Sequence, residues 1–208
     1  MINKRVFALF EEEYNEHLQG LLRDKTITRD YQIELFTNIE DLSQLVKTHF
    51  NALIIYVNIK RIRDSLFYNV DEFISSGGGL LSLHSTTASF SNQPKFIEIV
   101  GAKFVRHGPI TEYLVQPSES QNIVYSGISE FIVEDELYRQ KYTKTAIEQF
   151  IYHGKRLVEP LIWINNYGKG RIVGISPGHK TETLNNPKMV IIMRRSLEWL
   201  MRKDKEKK

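Results

Sequence analysis

The sequence lacks cysteine altogether among its 208 residues. Disulfide bonds, thiolate zinc sites, iron–sulfur clusters and a cysteine nucleophile are therefore excluded. It also lacks any apolar run near the roughly 20 residues that a membrane-spanning helix needs. The first apolar run, residues 6–10, stops at three glutamates, and no signal-peptide cleavage site follows it. We therefore expect a cytoplasmic protein with no membrane partner.

A large excess of charge is missing as well. The net charge is +3, and residues 202–208 account for all of it with five basic and two acidic side chains. The rest of the chain is neutral overall, which gives no case for a nucleic-acid-binding face. A length of 208 residues fits one domain. We predict a single α/β domain over residues 1–201 and a basic, disordered tail over residues 202–208.

Two hydrophobic periods alternate in the first half of the chain. Compact apolar runs at residues 6–10, 33–37, 52–57 and 80–85 are typical of strands. The run at 52–57 has no polar alternation, which is typical of a strand buried on both faces. Residues 59–76 place apolar side chains at steps of three and four, which predicts an amphipathic helix. Strands that alternate with helices in this way predict crossovers in a parallel sheet.

The second half of the chain is richer in strand signals. Residues 111–116 alternate, and residues 160–165 and 171–176 flank a glycine turn, which predicts a hairpin. Pro187 suits the first position of a final helix. We predict a three-layer α/β fold of the flavodoxin-like kind, with a mostly parallel twisted sheet, helices on both faces and a β-hairpin in the C-terminal half. If that hairpin is an edge, a homodimer is the expected assembly.

Three histidines follow strands of the predicted sheet. His17 comes after the first strand, His84 stands at the end of the fourth, and His179 ends the last. Ligands in such sheets sit beyond the carboxyl ends of the strands, so we expect these side chains to converge there. Residues 134–136 (EDE) offer an acidic partner, although a charge run of this kind is more often a solvated loop.

Histidines, a carboxylate and hydroxyls fit three chemistries, and the residues alone leave the choice open. One is general acid–base work on a hydroxylated or carbonyl substrate, since histidine titrates near neutral pH. Another is a histidine and carboxylate site for zinc or manganese, although no fixed ligand spacing supports it. The least favoured is a serine nucleophile at Ser85, because the pattern G-x-S-x-G is absent there.

Short segments between about residue 77 and residue 200 resemble, in their order, the ThuA-like family, which is named for trehalose utilisation. These segments are residues 77–85 (GGGLLSLHS), 101–104 (GAKF) with His107, 135–138 (DELY), 160–163 (PLIW), 168–171 (GKGR) and 178–179 (GH). The N-terminal third is similar only through His17. The resemblance implies a variant of the class I glutamine amidotransferase fold, and sugars or keto-sugars of disaccharide metabolism as substrates.

The resemblance also implies a pocket built by His84, His107, Glu136, Tyr138 and His179, with His17 as a further candidate. The following roles are expectations for that pocket and the residues around it. The catalytic groups or metal ligands would be His84, Glu136 and His179. The substrate-binding residues would be His17, Ser85, His107, Tyr138 and Trp163. An aromatic face among them suits the apolar face of a sugar ring. A divalent metal, zinc or manganese, is the candidate cofactor.

Two departures from the family pattern keep a second function open. Residues 120–122 (SQN) stand where many members carry His-Pro, and residues 185–187 (NNP) lack the histidine often found before that proline. The first hypothesis is a cytoplasmic sugar-processing enzyme, and the alternative is a non-catalytic saccharide-binding or regulatory module that keeps the pocket. An amidotransferase, peptidase or esterase of the parent fold is a third, and the lack of cysteine excludes its thiol version.

Overall fold

The computed structural model describes residues 4–25, 29 and 31–201, so the predicted tail at residues 202–208 lies outside the described residues. Nine strands form one sheet in the order β2-β1-β3-β4-β9-β8-β7-β5-β6. Their bounds are β1 Lys4–Phe10, β2 Tyr31–Phe36, β3 Ala52–Tyr56, β4 Gly79–Leu83, β5 Ala102–Pro117, β6 Phe131–Tyr142, β7 Ile147–Gly154, β8 Leu157–Tyr167 and β9 Gly170–Ile175.

Helices and short helical turns connect these strands. The α-helices are α1 Gln19–Arg23, α2 Asp64–Ser75, α3 Pro94–Val100, α4 Thr181–Leu184 and α5 Pro187–Leu200. The 3₁₀-helices are Glu12–Leu18, Ile39–Gln44, His84–Ala88 and Ile123–Tyr125. Within the described residues, no helix is both long enough and apolar enough to cross a membrane.

The sheet is mixed rather than mostly parallel. The pairs from β2 to β9 in sheet order run parallel, whereas every pair from β9 to β6 runs antiparallel. The longest ladder, between β5 and β6, is antiparallel. The α/β class is confirmed, but the mostly parallel sheet is not, because hairpins build the second half of the sheet. The β8–β9 hairpin that the glycine turn predicted is confirmed, whereas the antiparallel pairing of β5 with β6 and β7 is not revealed by local periodicity.

Helices cover both faces of the parallel part of the sheet. On β3, Leu53 and Ile55 pack into the core that includes α2 and α3. Ile54 and Tyr56, on the opposite face of the same strand, pack into the core that includes α1 and α5. Successive side chains of a strand point to opposite faces, so one apolar strand serves two cores. This packing produces the three layers expected from the sequence.

The long predicted helix begins later than its apolar pattern suggests. Apolar spacing predicts a start at Ile59, whereas α2 begins at Asp64. The intervening loop is held in place by side chains from the segment after β4. The Asn92 side chain bonds the backbone N–H and carbonyl of Ile62, and the Ser89 hydroxyl accepts from the N–H of Ile59. These long-range bonds satisfy the loop backbone and remove its need for helical partners.

The hairpin of β8 and β9 lies inside the sheet. β9 pairs with β4 on its other side, and β8 pairs with β7. Neither strand has a free edge, so the expectation that this hairpin pairs with a second copy is wrong. The outermost strands of the sheet are β2 and β6.

The sheet has a second kind of edge, along which its parallel strands end. The carboxyl ends of β1, β3, β4 and β9 all lie along this one edge because these strands are parallel. The 3₁₀-helix Glu12–Leu18 follows β1 there, and the 3₁₀-helix His84–Ala88 follows β4. The β5–β6 hairpin reaches the same edge, where the ring of Tyr138 lies against the ring of His84. This edge therefore brings together side chains from both halves of the chain.

Candidate functional site

A cluster of imidazoles surrounds the carboxylate of Glu136, which stands on β6. Its Oε2 atom lies 3.7 Å from His84 Nε2 and 3.6 Å from His179 Nδ1. Its Oε1 atom lies 3.3 Å from His107 Nδ1, which comes from β5. Each histidine therefore reaches Glu136 from a different strand or strand end, and the convergence of His84 with His179 follows from the parallel strands that carry them.

His84 is buried, and its tautomer is set by the backbone. Its Nδ1 atom lies 2.8 Å from the carbonyl oxygen of Ser176, and since a carbonyl only accepts, Nδ1 carries the proton. The lone pair is then on Nε2, which is the atom that faces Glu136. His84 also has a φ of +39°, a left-handed value that costs energy outside glycine and that the turn from β4 into the 3₁₀-helix imposes.

Burial of His84 makes the metal-free protein less stable in mild acid. Burial lowers the pKa of His84 from 6.5 to about 4. Between those values the unfolded chain binds a proton that the folded chain does not, so the free energy of unfolding falls as the pH drops below 6.5. We expect a loss of about 2 kcal/mol between pH 6.5 and pH 5 from this group alone.

Urea unfolding with EDTA present measures this effect. The variant His84→Asn, which tolerates a positive φ, should lose that part of the pH dependence. His153→Asn, at an exposed histidine of β7, should keep it. The same pH dependence in His84→Asn as in the native protein would contradict the prediction.

Asp135 is a fully buried carboxylate that accepts hydrogen bonds from the backbone of β6 and from the backbone of the loop after β9. Its Oδ1 atom accepts hydrogen bonds from the N–H of Glu136 at 2.7 Å and of His179 at 3.0 Å. Its Oδ2 atom accepts from the N–H of Lys180 at 3.2 Å. The backbone that carries Glu136 and His179 is therefore held by one side chain. In the sequence, Asp135 stood in an acidic run and began the DELY segment of the family resemblance, but neither pattern gave it this role.

Aromatic side chains from the end of β3 and from the segment after β1 support the site loop, which is residues 176–180 after β9. The Tyr56 hydroxyl donates a hydrogen bond to the carbonyl of Gly178. The Tyr14 ring stacks on the Tyr56 ring at 4.1 Å, and the His17 ring stands edge-on to both. His17 Nε2 also lies 3.0 Å from the carbonyl oxygen of His179. The structure thus places His17 against the backbone of the site loop rather than inside the imidazole cluster.

Tyr138 and His107 complete the side of the site that the hairpin provides. The Tyr138 ring lies 4.2 Å from the His84 ring and 5.7 Å from the His107 ring. Burial raises the pKa of the Tyr138 hydroxyl well above its ordinary value, so it stays protonated at neutral pH. His107 Nδ1 also lies 2.8 Å from the carbonyl oxygen of Gly108. Five of the residues that the family resemblance implied are therefore neighbours: His84, His107, Glu136, Tyr138 and His179.

Trp163, in contrast, lies away from the cluster. It is fully buried, and its indole N–H donates to the carbonyl of Val100 at 2.8 Å. The ring covers Gly174 so closely that a Cβ there would lie 2.1 Å from it. The ring belongs to the core with α2 and α3, so its expected role in holding substrate is wrong. Aromatic character alone does not tell which face of the sheet a side chain occupies.

Three ligand atoms of the cluster could hold a metal ion. His84, Glu136 and His179 each offer one, and these atoms all lie within 4.8 Å of one another. Two imidazoles and a carboxylate suit divalent metals such as zinc or manganese. The bond from His84 Nδ1 to a backbone carbonyl is the outer contact that orients metal-binding histidines. The donor set therefore fits a divalent metal.

Comparison with known protein families gives one match over most of the chain. A family model described as "ThuA: Trehalose utilisation" matches residues 9–200. No curated protein matches the sequence.

Solved structures share the fold at low sequence identity. A putative ThuA-like protein from Bacteroides uniformis has a TM-score of 0.78 and 15% identity, over 97% of this chain and 93% of that one. A cytoplasmic protein from Salmonella typhimurium has a TM-score of 0.66 and 11% identity, over 94% and 96%. A β-galactosidase from Rahnella sp. has a TM-score of 0.66 and 13% identity, over 97% of this chain but 32% of that one. At such identities the likeness shows the fold alone.

Proposed function

Because the chain belongs to the ThuA family, we propose that it acts on a sugar or keto-sugar of disaccharide utilisation at the cluster of His84, Glu136 and His179. The observation that carries the proposal is the convergence of three ligand atoms within 4.8 Å, one of them on a histidine whose tautomer is set. The description of the family as trehalose utilisation supports the substrate class. A cytoplasmic location belongs to the same proposal, and the description of the Salmonella neighbour supports it.

Each residue of the cluster would have its own chemical role. His84, Glu136 and His179 would hold a divalent metal, which when bound polarises a substrate oxygen as a Lewis acid. The low pKa of His84, which burial causes, keeps its Nε2 atom an electron-pair donor at neutral pH. The Glu136 carboxylate accepts a proton or a hydrogen bond. His107 and His179 have side chains that are 43% and 47% exposed, so solvent and substrate can reach them.

Metal content and turnover together test this proposal. Elemental analysis of the purified protein should find about one zinc or manganese per chain, and His84→Ala should remove it. The same variant should lose turnover of a keto-sugar glycoside that the native protein cleaves. His153→Ala, at an exposed histidine, is the matched control and should change neither. Full turnover by His84→Ala on every such glycoside would refute the proposed role of the cluster.

A non-catalytic saccharide-binding module is the second candidate. Two observations favour it. This fold corresponds to about a third of a much longer β-galactosidase chain. In addition, Asn185 and Asn186 stand where a family histidine is often found, and both side chains have a structural role. Asn185 accepts from the N–H of Gly20, and Asn186 caps α5. Saccharide binding by calorimetry, with no product after long incubation with added divalent metals, would favour this candidate.

A further inference from the structure

We propose that Arg106 and Arg139 hold a phosphoryl group of the sugar substrate, in a cavity beside the cluster around Glu136. The inference rests on the proposed function and deepens it, because it narrows the substrate class to a phosphorylated sugar. The two arginines would be specificity-determining residues, since the group that they bind takes no part in the reaction. Neither of them had a role in the pocket that the family resemblance implied.

Two irregularities in the β5–β6 ladder bracket Arg106 and His107. Each leaves β5 with one residue more than β6 between successive pairs, at Val105 and at residues 108–109. Bulges of this kind re-aim side chains and are frequent next to functional sites. Successive residues of a regular strand point to opposite faces, yet Arg106 and His107 line the same cavity. The irregular backbone therefore brings a guanidinium group to a wall of which His107 is also part.

The cavity has a volume of about 250 Å³, and its wall carries positive charge. The residues that line it include two arginines, one histidine, one hydroxyl and two leucines: Arg106, Arg139, His107, Thr111, Leu137 and Leu157. Among the described residues, no acidic side chain lines it. A water molecule takes up about 30 Å³ in the liquid, so a phosphoryl group fits with solvent around it. Charge and size therefore suit an anionic group.

The two guanidinium groups start from opposite positions of the ladder. Arg106 pairs in register with Arg139, so their Cβ atoms lie about 5 Å apart. Like charges directly opposite each other destabilise two paired strands, and an anion between them removes that cost. Arg139 is already held by the buried carboxylate of Glu159, which lies 2.8 Å from its Nε atom. The Arg106 guanidinium has no such partner among the described residues, so it is available to a ligand.

Two guanidinium groups favour a phosphoryl group over a carboxylate. A guanidinium presents planar N–H donors that match pairs of phosphate oxygens. A phosphoryl group has three acceptor oxygens and about 1.5 to 2 negative charges at neutral pH, whereas a carboxylate has two oxygens and one charge. Three oxygens can be shared between two arginines. The chemistry of the site therefore points to a sugar phosphate rather than to a sugar acid.

The neighbouring cluster adds to this preference when it holds a metal. Metal-bound imidazoles are neutral, so a divalent metal with one carboxylate leaves a net charge of about +1. The metal's own charge then attracts an anion and outweighs the repulsion from Glu136. His107 joins the two places, because it lines the cavity and its Nδ1 atom lies 3.3 Å from Glu136 Oε1. One sugar ligand can therefore reach the cluster and the cavity together.

Titration calorimetry with trehalose, trehalose 6-phosphate and the corresponding 6-carboxylate tests the subsite. The native protein should bind the phosphate at least tenfold more tightly than trehalose, and more tightly than the carboxylate. Arg106→Gln, at an exposed residue, should lower the affinity for the phosphate about tenfold, which is typical of a hydrogen bond to a charged group. Its affinity for trehalose should not change. Arg139→Lys keeps a positive charge beside Glu159 but loses the planar fork, and it should also weaken binding of the phosphate alone.

Lys103→Gln is the matched control. It removes one positive charge from the same strand, opposite Lys141, at an exposed residue that does not line the cavity. It should bind all three probes like the native protein. The three variants should also bind zinc with native affinity, because none of them changes a ligand atom of the cluster.

The possible results separate the subsite from the proposed function. Equal affinity of the native protein for trehalose and its phosphate would overturn the subsite and leave the proposed function standing. A preference for the phosphate that persists in Arg106→Gln would place the phosphoryl group on the metal, and would overturn the subsite as well. Affinity for the 6-carboxylate equal to that for the phosphate would overturn the choice of a phosphoryl group.

Inorganic phosphate, titrated alone, gives the remaining distinction. Phosphate binding that Arg106→Gln weakens, in a protein that binds no sugar, would uphold the anion site and overturn the proposed function. A native protein that binds neither phosphate nor any of the three sugars would overturn both.

Discussion

Glu136→Gln is expected to lower the affinity for zinc by about 100-fold or more and to abolish turnover. Glu136 supplies the negative charge of the three-residue donor set, and its two oxygens face three imidazoles. An amide of the same shape is neutral and is a poor metal ligand, so the change removes charge without removing volume. Losses of 10-fold to 100-fold are typical even for groups that only orient the ligands, and a ligand itself should cost more.

Zinc titration by calorimetry at neutral pH measures this loss. Glu134→Gln is the matched control, because Glu134 stands two residues earlier on β6, is 55% exposed and pairs with Lys180. It should keep native zinc affinity and native turnover. Zinc affinity of Glu136→Gln within a few-fold of the native value would show that the metal, if bound, is held elsewhere.

Asp135→Asn is expected to lower the free energy of unfolding by about 3 kcal/mol or more and to weaken zinc binding with it. The carboxylate accepts from three backbone N–H groups while fully buried. An asparagine amide has one accepting oxygen, and its NH₂ group would face an N–H that also donates. Hydrogen bonds to a charged group are worth about 1.5–3 kcal/mol each, and a buried N–H left without a partner adds to the loss.

Two measurements separate the positioning role of Asp135 from a merely structural one. Urea unfolding gives the loss of stability, and zinc titration under conditions where the variant is fully folded gives the effect on the site. Asp71→Asn is the matched control, because Asp71 is a half-buried carboxylate of α2 that pairs with Lys95 and accepts from the Tyr167 hydroxyl, so the variant should lose stability without changing zinc affinity. Native zinc affinity in folded Asp135→Asn would contradict the positioning role.

Part of the candidate site could be predicted from local sequence, and part could not. His84 and His179 follow strands, so the rule that ligands bind beyond parallel strand ends indicated them without a structure. Glu136, on the long β5–β6 hairpin, belongs to an acidic run that the residues alone indicated as a partner for the histidines. Tyr138 and His107 stand on the same hairpin, and only the resemblance to a family gave them a role. The reason is that this hairpin meets the site through contacts with His84 and His179, which are far from it in the sequence. No local pattern encodes such contacts.

Other residues show why tertiary contacts decide roles. Asp135 and Glu136 are adjacent acidic residues, yet one bonds three backbone N–H groups and the other faces three imidazoles. Trp163 has the aromatic ring expected of a sugar contact but is enclosed in the core. Tyr14 supports the site by stacking on Tyr56, and this contact joins residues too far apart in the sequence for a local pattern to indicate it.

The sequence by itself determined the absence of thiol chemistry, the α/β class and the resemblance to the ThuA family. Those properties follow from composition, from hydrophobic periods of two and 3.6 residues, and from short ordered motifs. Only the tertiary structure decided that the sheet is mixed, that the β8–β9 hairpin lies inside it, and that Asp135 joins Glu136 to His179. The physical reason is that strand pairing and buried hydrogen bonds link residues dozens of positions apart. The free energy of such contacts cannot be inferred from the residues of any short segment.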